Sequence, residues 1–279
     1  MTMTINYYGI IIGVSLIIFF LLSEKKAKAA GIDENYFFKI FIFLMIAALI
    51  GARAWHIFTD FTLYTGRLLD IFKVWQGGLS IIGALLGGFL ALLLLSRLAS
   101  KSWRKKKSRL SVILLLDIFA FALPFAQAVG RLANYFNQEL YGLPSNLPWA
   151  IYIKPENRIA DYEDLSYYHP LFAYEAILML AFAFLIWGLE KNFSKKGNSK
   201  TLNKQRQQLS QTWQLGSGLY FQLYFFYYAS IRFLLDFLRV EKEILPVVGL
   251  GINQLFLLFL LIALFIHHFV KIRQRRAKL

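Results

Sequence analysis

Apolar residues fall in seven long, nearly unbroken runs: Ile5 to Leu22, Tyr36 to Phe58, Leu79 to Leu95, Leu110 to Val129, Pro170 to Gly188, Leu219 to Leu238 and Ile252 to Val270. Each is close to the roughly 20 residues that a helix needs to cross a bilayer. Inside them Leu, Ile, Phe and Ala follow one another without polar alternation, so helices are predicted and outer-membrane strands are not. The expected fold is an all-α integral membrane protein with seven transmembrane helices. No Lys or Arg precedes the first run, which therefore reads as a retained span and not a cleaved signal.

The intervals between runs differ in kind. Thr62 to Gln76 sets Leu68, Leu69, Phe72 and Trp75 at near-helical spacing, which predicts a helix lying on the membrane surface. Tyr141 to Tyr168 carries Pro144, Pro148 and Pro155 around Trp149 and is longer than a connection requires, as a loop folded over the mouth of a bundle would be. Lys191 to Gln208 has the polarity of a flexible linker. Composition nowhere breaks, so residues 1–279 are expected to form one polytopic domain. Its external segments lie at about 59–76 and 138–168 and its basic cytoplasmic linker at about 190–212.

A formal charge of +15 on 279 residues fits either nucleic acid or membrane as partner, and the seven runs exclude nucleic acid in favour of membrane lipids. The basic residues also orient the chain. Lys25, Lys26 and Lys28, Lys101 with Arg104 to Lys107, Lys191 to Arg206 and Lys271 to Lys278 follow the first, third, fifth and seventh runs, whereas Glu156, Asp161, Glu163 and Asp164 follow the fourth. Positive residues mark the cytoplasmic face, which puts the N-terminus outside and the C-terminus inside. The absence of cysteine excludes disulfides, thiolate catalysis by the protein and cysteine metal sites. The four histidines lack metal-ligand spacing, so no metal is expected.

With that topology, polar residues gather at the outer ends of six spans. They are Tyr7 and Tyr8; Arg53 and His56; Gln127, Arg131, Asn134 and Glu139; His169 and Glu175; Arg232, Asp236 and Arg239; and Asn253 and Gln254. A charged side chain at mid-bilayer costs roughly 2.5 to 3.5 kcal/mol on insertion scales, so each needs a reason. Tyr7, Tyr8 and Trp149 fit an interfacial aromatic belt, Asn253 and Gln254 fit interhelical hydrogen bonds, and Asp117 fits pairing with nearby basic residues. Arg232, Asp236 and Arg239, at i, i+4 and i+7, share one helix face and suit an Arg232–Asp236 ion pair. Asp236, Glu139 and Glu175 still cannot neutralise Arg53, Arg131, Arg232 and Arg239 one for one. A phospholipid phosphate matches the arginine fork and supplies the missing anion. Gly83 and Gly87, four apart, leave room for a neighbouring helix or an acyl chain.

The stretch "GRLANYFNQELYG", Gly130 to Gly142, resembles the signature of the prolipoprotein diacylglyceryl transferases of bacterial inner membranes, with Gly130, Arg131, Asn134, Asn137, Glu139 and Gly142 at its fixed positions. Further matches follow in family order: "YYG" at Tyr7, "GAR" at Gly51, "GGLS" at Gly77, "HP" with "YE" at His169 to Glu175, Arg232 to Arg239, and Gln254. The resemblance implies a multi-pass protein of the bacterial cytoplasmic (inner) membrane. It implies transfer of the diacylglyceryl group from phosphatidylglycerol to the lipobox cysteine of preprolipoproteins, with no cofactor. By that resemblance Arg131 holds the headgroup and Arg239 stabilises the departing phosphate. Asn134 and Glu139 position the glycerol or orient the arginines, and Tyr7, Asn137, His169, Glu175 and Gln254 contact substrate.

Four positions depart from the family pattern: Ile82 where a histidine usually follows "GGLS", Ala133 for a glycine, Phe172 for a glutamine and Asp236 for a glutamate. Ile82 removes the usual candidate base. His56, or else His169, then takes the thiol proton, or the arginine field lowers the thiol pKa without a base. A non-catalytic phosphatidylglycerol-binding protein is the alternative function, and a seven-helix transporter or photoreceptor ranks below both, because no lysine lies in the body of the seventh run.

Overall fold

The computed structural model describes residues 7–102, 111–196, 213–240, 244–245, 250–251, 254–255, 257–259 and 262. Among these are the α-helices α1 (Tyr7–Ala29), α2 (Glu34–Thr59), α3 (Ile81–Ser102), α4 (Val112–Asn137), α5 (Leu171–Lys196) and α6 (Leu219–Leu235). Six of the seven apolar runs are thus helical. Most of the seventh, Asn253 within it, residues 197–212 of the linker, and the basic clusters Arg104 to Lys107 and Lys271 to Lys278 lie outside the described residues. Helices α1, α2, α4 and α5 are each long and apolar enough to cross a membrane. The apolar part of α3, Ile81–Arg97, is shorter, and α6 has 17 residues.

The chain divides into two compact units, one comprising the described residues up to Leu22 with those from Phe119 onward, the other Ser23 to Ile118. In the second unit, α1 ends because Gly31 takes φ +80, a left-handed conformation that glycine adopts without penalty. Gly31 N–H then donates to Lys28 O at 3.0 Å and Ile32 N–H to Ala27 O at 2.9 Å, satisfying the last helical carbonyls. Asp33 starts α2 by accepting from Tyr36 N–H at 3.0 Å, and Lys28 pairs with Glu34 across the turn.

Helices α2 and α3 meet at glycines. A Cβ on Gly87 would stand 2.5 Å from the Ala47 carbonyl oxygen, and a Cβ on Gly51 or Gly83 would collide with the other's backbone. Backbone against backbone fills the space, so Gly83 and Gly87 accommodate a helix and not an acyl chain.

Between these helices the expected surface helix is replaced by 3-10 turns at Phe61–Tyr64, Leu68–Phe72 and Val74–Gln76. Arg53 gathers the carbonyls of this segment. Its guanidinium donates to Asp70 O at 2.5 Å, Ile71 O at 2.8 Å, Gly77 O at 2.8 Å and Gly78 O at 3.0 Å. Asp70 O also accepts from Lys73 N–H at 3.1 Å, the i→i+3 bond of a 3-10 turn, so Arg53 ties the turns together without displacing their own bonds.

The first unit is built on α4, α5 and α6. Phe121 of α4, Phe182 and Ile186 of α5 and Tyr220 and Tyr224 of α6 form one apolar cluster, and Ala128, Ala176, Met179 and Ile231 extend it along the same helices. Phe182 stacks on Tyr227 with ring centroids 4.3 Å apart. The α1 residue Ser15 donates to Ala126 O at 2.6 Å, two residues past the helix-interior Pro124.

Residues 141–168 fold as a small cap. Strands β1 (Ile151–Tyr152) and β2 (Tyr167–Tyr168) pair antiparallel over a core of Tyr141, Ile153 and Tyr168. Arg158 fastens it by donating to Ile153 O, Glu163 O and Ser166 Oγ at 2.9, 2.9 and 3.2 Å. A second hairpin pairs β3 (Ile244–Leu245) with β4 (Leu250–Gly251).

Candidate functional site

The polar stretch at the end of α4 is shaped by two residues of unusual backbone. Gln138 and Leu140 take φ 51 and 55, in the left-handed region that costs a non-glycine residue free energy. Between them Glu139 is turned back onto the helix. Its N–H donates to Asn134 O at 3.0 Å, and its carboxylate accepts from Asn134 Nδ2 at 2.8 Å. The Gln138 carboxamide oxygen accepts from Lys154 N–H at 2.9 Å and from Asn157 Nδ2 at 3.1 Å, tying the stretch to the cap. Asn137 closes the helix and is exposed.

Arg131 lies two turns earlier on α4 and Glu175 lies on α5. The Glu175 carboxylate is fully buried and accepts from Arg131 Nη2 at 2.7 Å and from Arg232 Nη1 at 3.1 Å. One carboxylate thus serves two guanidinium groups, and the trio carries a net formal charge of +1. Arg131 Nε is buried and has no hydrogen-bond partner among the described residues, while both guanidinium side chains remain partly exposed.

The expected Arg232–Asp236 pair is therefore corrected. α6 gives way at Asp236 to the 3-10 turn Asp236–Leu238. In that geometry side chains three apart eclipse one another, so Asp236 faces Arg239 at 3.9 Å instead. Backbone pairing sets Arg239 beside Gly142, and Leu143 N–H donates to Leu238 O at 2.8 Å. A Cβ on Gly142 would stand 2.6 Å from that carbonyl, which explains a glycine at the end of the stretch. The count of unmatched arginines changes as well. Arg53 rests on four carbonyls and over the Tyr64 ring, 5.0 Å from its centroid, and needs no carboxylate.

His169 leads into α5 with Nδ1 3.1 Å from the Tyr174 hydroxyl, to which Trp149 Nε1–H of the cap donates at 2.8 Å. Trp149 is thus a cap anchor as well as a surface aromatic. Beside it runs an apolar groove of about 460 Å³, lined by Tyr135, Trp149, Phe172 and Tyr174 among others. Tyr7 stacks on Phe136 at 5.2 Å. Gln254 is buried; its side-chain oxygen accepts from Gly251 N–H at 2.9 Å, and its Nε2 has no partner among the described residues.

His56 belongs to the other unit. Its Nδ1 lies 3.0 Å from the Tyr64 hydroxyl, and its Nε2 lies 4.0 Å from Asp60 Oδ2. Ile82, at the start of α3, is exposed. Among the described residues no three of His, Asp and Glu gather as a metal site.

The structure brings Arg131 to Glu175, Asn134 to Glu139 and Arg239 to Gly142. Sequence reasoning missed the share that Arg232 takes in the Glu175 cluster, and the bridging by Gln138 and Tyr174. Gln138 stood inside the signature stretch, but nothing in its spacing distinguished a left-handed bridging residue from a solvated one.

The sequence matches the family described as prolipoprotein diacylglyceryl transferase over residues 1–270. Among curated relatives, the phosphatidylglycerol–prolipoprotein diacylglyceryl transferase of Thermotoga maritima is 31% identical over 238 residues, 85% of this chain and 72% of that protein. The protein of the same name from Synechocystis is 37% identical over 183 residues, 65% of this chain and 62% of the relative. That from Prochlorococcus marinus is 34% identical over 198 residues, 66% of this chain and 64% of the relative. No solved structure matches the chain. The family match spans the signature stretch, the Arg131–Glu175–Arg232 cluster and Arg239, and this chain belongs to the prolipoprotein diacylglyceryl transferase family.

Proposed function

We propose that the protein transfers the diacylglyceryl group of phosphatidylglycerol to the lipobox cysteine of preprolipoproteins, as a multi-pass protein of the bacterial cytoplasmic membrane. The observation that carries the reading is the Glu175 cluster, in which two arginines share one buried carboxylate. An anionic headgroup balances its excess charge, and the buried Arg131 Nε–H is a donor suited to a phosphate oxygen.

In the reaction the cysteine thiol loses its proton and the thiolate attacks a glycerol carbon. A sulfur–carbon bond forms, the bond from that carbon to the phosphate oxygen breaks, and glycerol phosphate leaves with the electron pair. Preorganised cations where negative charge grows are usually the largest catalytic contribution. Arg131 holds the headgroup, Arg239 stabilises the leaving phosphate, and the hydrogen-bonded Asn134–Glu139 pair positions the glycerol. Tyr7, Asn137 and Gln254 complete the substrate contacts, and the apolar groove beside Trp149 accepts hydrocarbon.

The thiol proton passes to a histidine, His56 or His169. Each imidazole has Nδ1 at a tyrosine hydroxyl, Tyr64 for His56 and Tyr174 for His169, which supports Nε2 as the exchanging nitrogen. If His56→Ala and His169→Ala both keep the transfer rate within a few-fold of the parent, a protein base is ruled out.

Seven spans with the N-terminus outside complete the reading. The 17 residues of α6 reach about 26 Å and the following 3-10 turn adds about 6 Å, which supports a crossing of a core about 30 Å thick. Purified protein given phosphatidylglycerol and a lipobox peptide is expected to add the diacylglyceryl mass to the cysteine. Lipid binding without that product would instead establish the non-catalytic reading, which the exposed Ile82 at the usual histidine position favours.

A further inference from the structure

The strap between α2 and α3 sorts its side chains by threes. Arg67, Asp70 and Lys73 form one row, with Lys73 Nζ 2.5 Å from Asp70 Oδ1. In a second row Ile71 and Val74 are half-buried, and Leu68 at its start is 60% exposed. Leu69, Phe72 and Trp75 form the third, and they are 78%, 74% and 76% exposed. Leu69 and Phe72 eclipse within the 3-10 turn Leu68–Phe72, in which residues i and i+3 align; Lys73, at ψ 64, begins the next turn, and Trp75 in it is exposed to the same degree. At 100° per residue an α-helix would turn Trp75 about 120° away from Leu69 and break the row.

Three large apolar side chains on one edge, each about three-quarters exposed, form the kind of patch that marks an interaction surface. What covers it follows from where the strap is tethered. α2 is apolar and long enough to cross a membrane, and its last turn exposes Phe58; the strap ends at α3, whose first turn exposes Ile81. The apolar row thus continues the exposed apolar surface of the two flanking helices. Arg53 fixes its orientation, since the four carbonyls it holds all belong to the strap. The Lys73–Asp70 pair leaves the charged row one positive charge, at Arg67, so burial of Leu69, Phe72 and Trp75 contributes more to association than headgroup charge does.

We infer that the Arg67 to Gly78 strap is a shallow membrane anchor, its Leu69–Phe72–Trp75 row inserted among the lipids at the interface where α2 ends and its Arg67–Asp70–Lys73 row at the headgroups. It does not depend on the proposed transfer reaction. Burying such a row contributes through apolar area, and an indole suits the boundary between hydrocarbon and water. The anchor fixes the depth at which Arg53, Gly78 and the adjacent His56 are held.

The chain has no cysteine, so single substitutions can be spin-labelled in the otherwise unaltered protein. Labels at Arg67→Cys through Gln76→Cys, in bilayers containing phosphatidylglycerol, are compared for collision with oxygen, which enters lipid, and with a water-soluble nickel chelate. Oxygen collisions are expected to exceed nickel collisions several-fold at 69, 72 and 75, with the order reversed at 67, 70 and 73. Nickel accessibility throughout the strap would overturn the anchor. Shielding of 69, 72 and 75 from both reagents would overturn it too, and accompanying spin–spin broadening would assign the row to a second copy of the chain.

Discussion

Glu175 concentrates the electrostatics of the site in one side chain. It is fully buried, and its two oxygens accept from different arginines on different helices. Removing one partner of a buried ion pair costs about 3 to 5 kcal/mol, because the remaining charge is left without compensation. Glu175→Gln is therefore expected to lower stability by that order, read as a reduced denaturant midpoint in detergent or lipid. Arg131→Ala and Arg232→Ala act on the same carboxylate, so their effects should fail to add in the double variant by at least about 0.5 kcal/mol. Additive costs would mean that the two arginines do not share Glu175. The sequence located Arg131 and Glu175 but could not pair them, since the residues are 44 apart and no spacing rule reaches across helices. Arg232 was assigned to Asp236 because i+4 spacing presumes an unbroken α-helix, and α6 stops at Leu235.

At the scale of elements, glycine decides how closely helices approach. Gly51, Gly83 and Gly87 have no room for a methyl group, whereas Gly13 and Gly188, also helical, have nothing within 4 Å of a Cβ. Gly51→Ala must push α3 away and is expected to cost about 1 to 3 kcal/mol. Gly188→Ala should be neutral or stabilising by up to about 1 kcal/mol through helix propensity. Thermal unfolding of the two variants side by side checks the contrast; equal midpoints would contradict the close α2–α3 packing. The apolar runs foretold α1 through α6 because bilayer-length hydrophobicity is a local property of sequence. The strap escaped that logic. Its Leu and Phe spacing fits a helix, but the backbone closes i→i+3 bonds instead, and Arg53, 17 residues before Asp70, binds carbonyls of these turns from outside the segment.

For the whole molecule, topology is the property on which the chemistry depends, because a lipobox cysteine and a leaving glycerol phosphate must meet the arginines on the same side of the membrane. The charge distribution supports the proposed orientation by an argument independent of any family. In the proposed orientation Lys25 and Lys191 are cytoplasmic, and Thr62 of the strap and Lys154 of the cap are external. All four are exposed, so each can be replaced by cysteine with little effect on packing. A membrane-impermeant maleimide is expected to label Thr62→Cys and Lys154→Cys on intact spheroplasts, and Lys25→Cys and Lys191→Cys only after permeabilisation. Lys25 and Thr62 flank α2 and Lys154 and Lys191 flank α5, so the labelling pattern tests those two crossings. Labelling of Lys25→Cys in intact cells would reverse the orientation. Equal labelling of Lys154→Cys and Lys191→Cys before permeabilisation would remove α5 as a span, and with it the one-sided placement of His169, Glu175 and the cap.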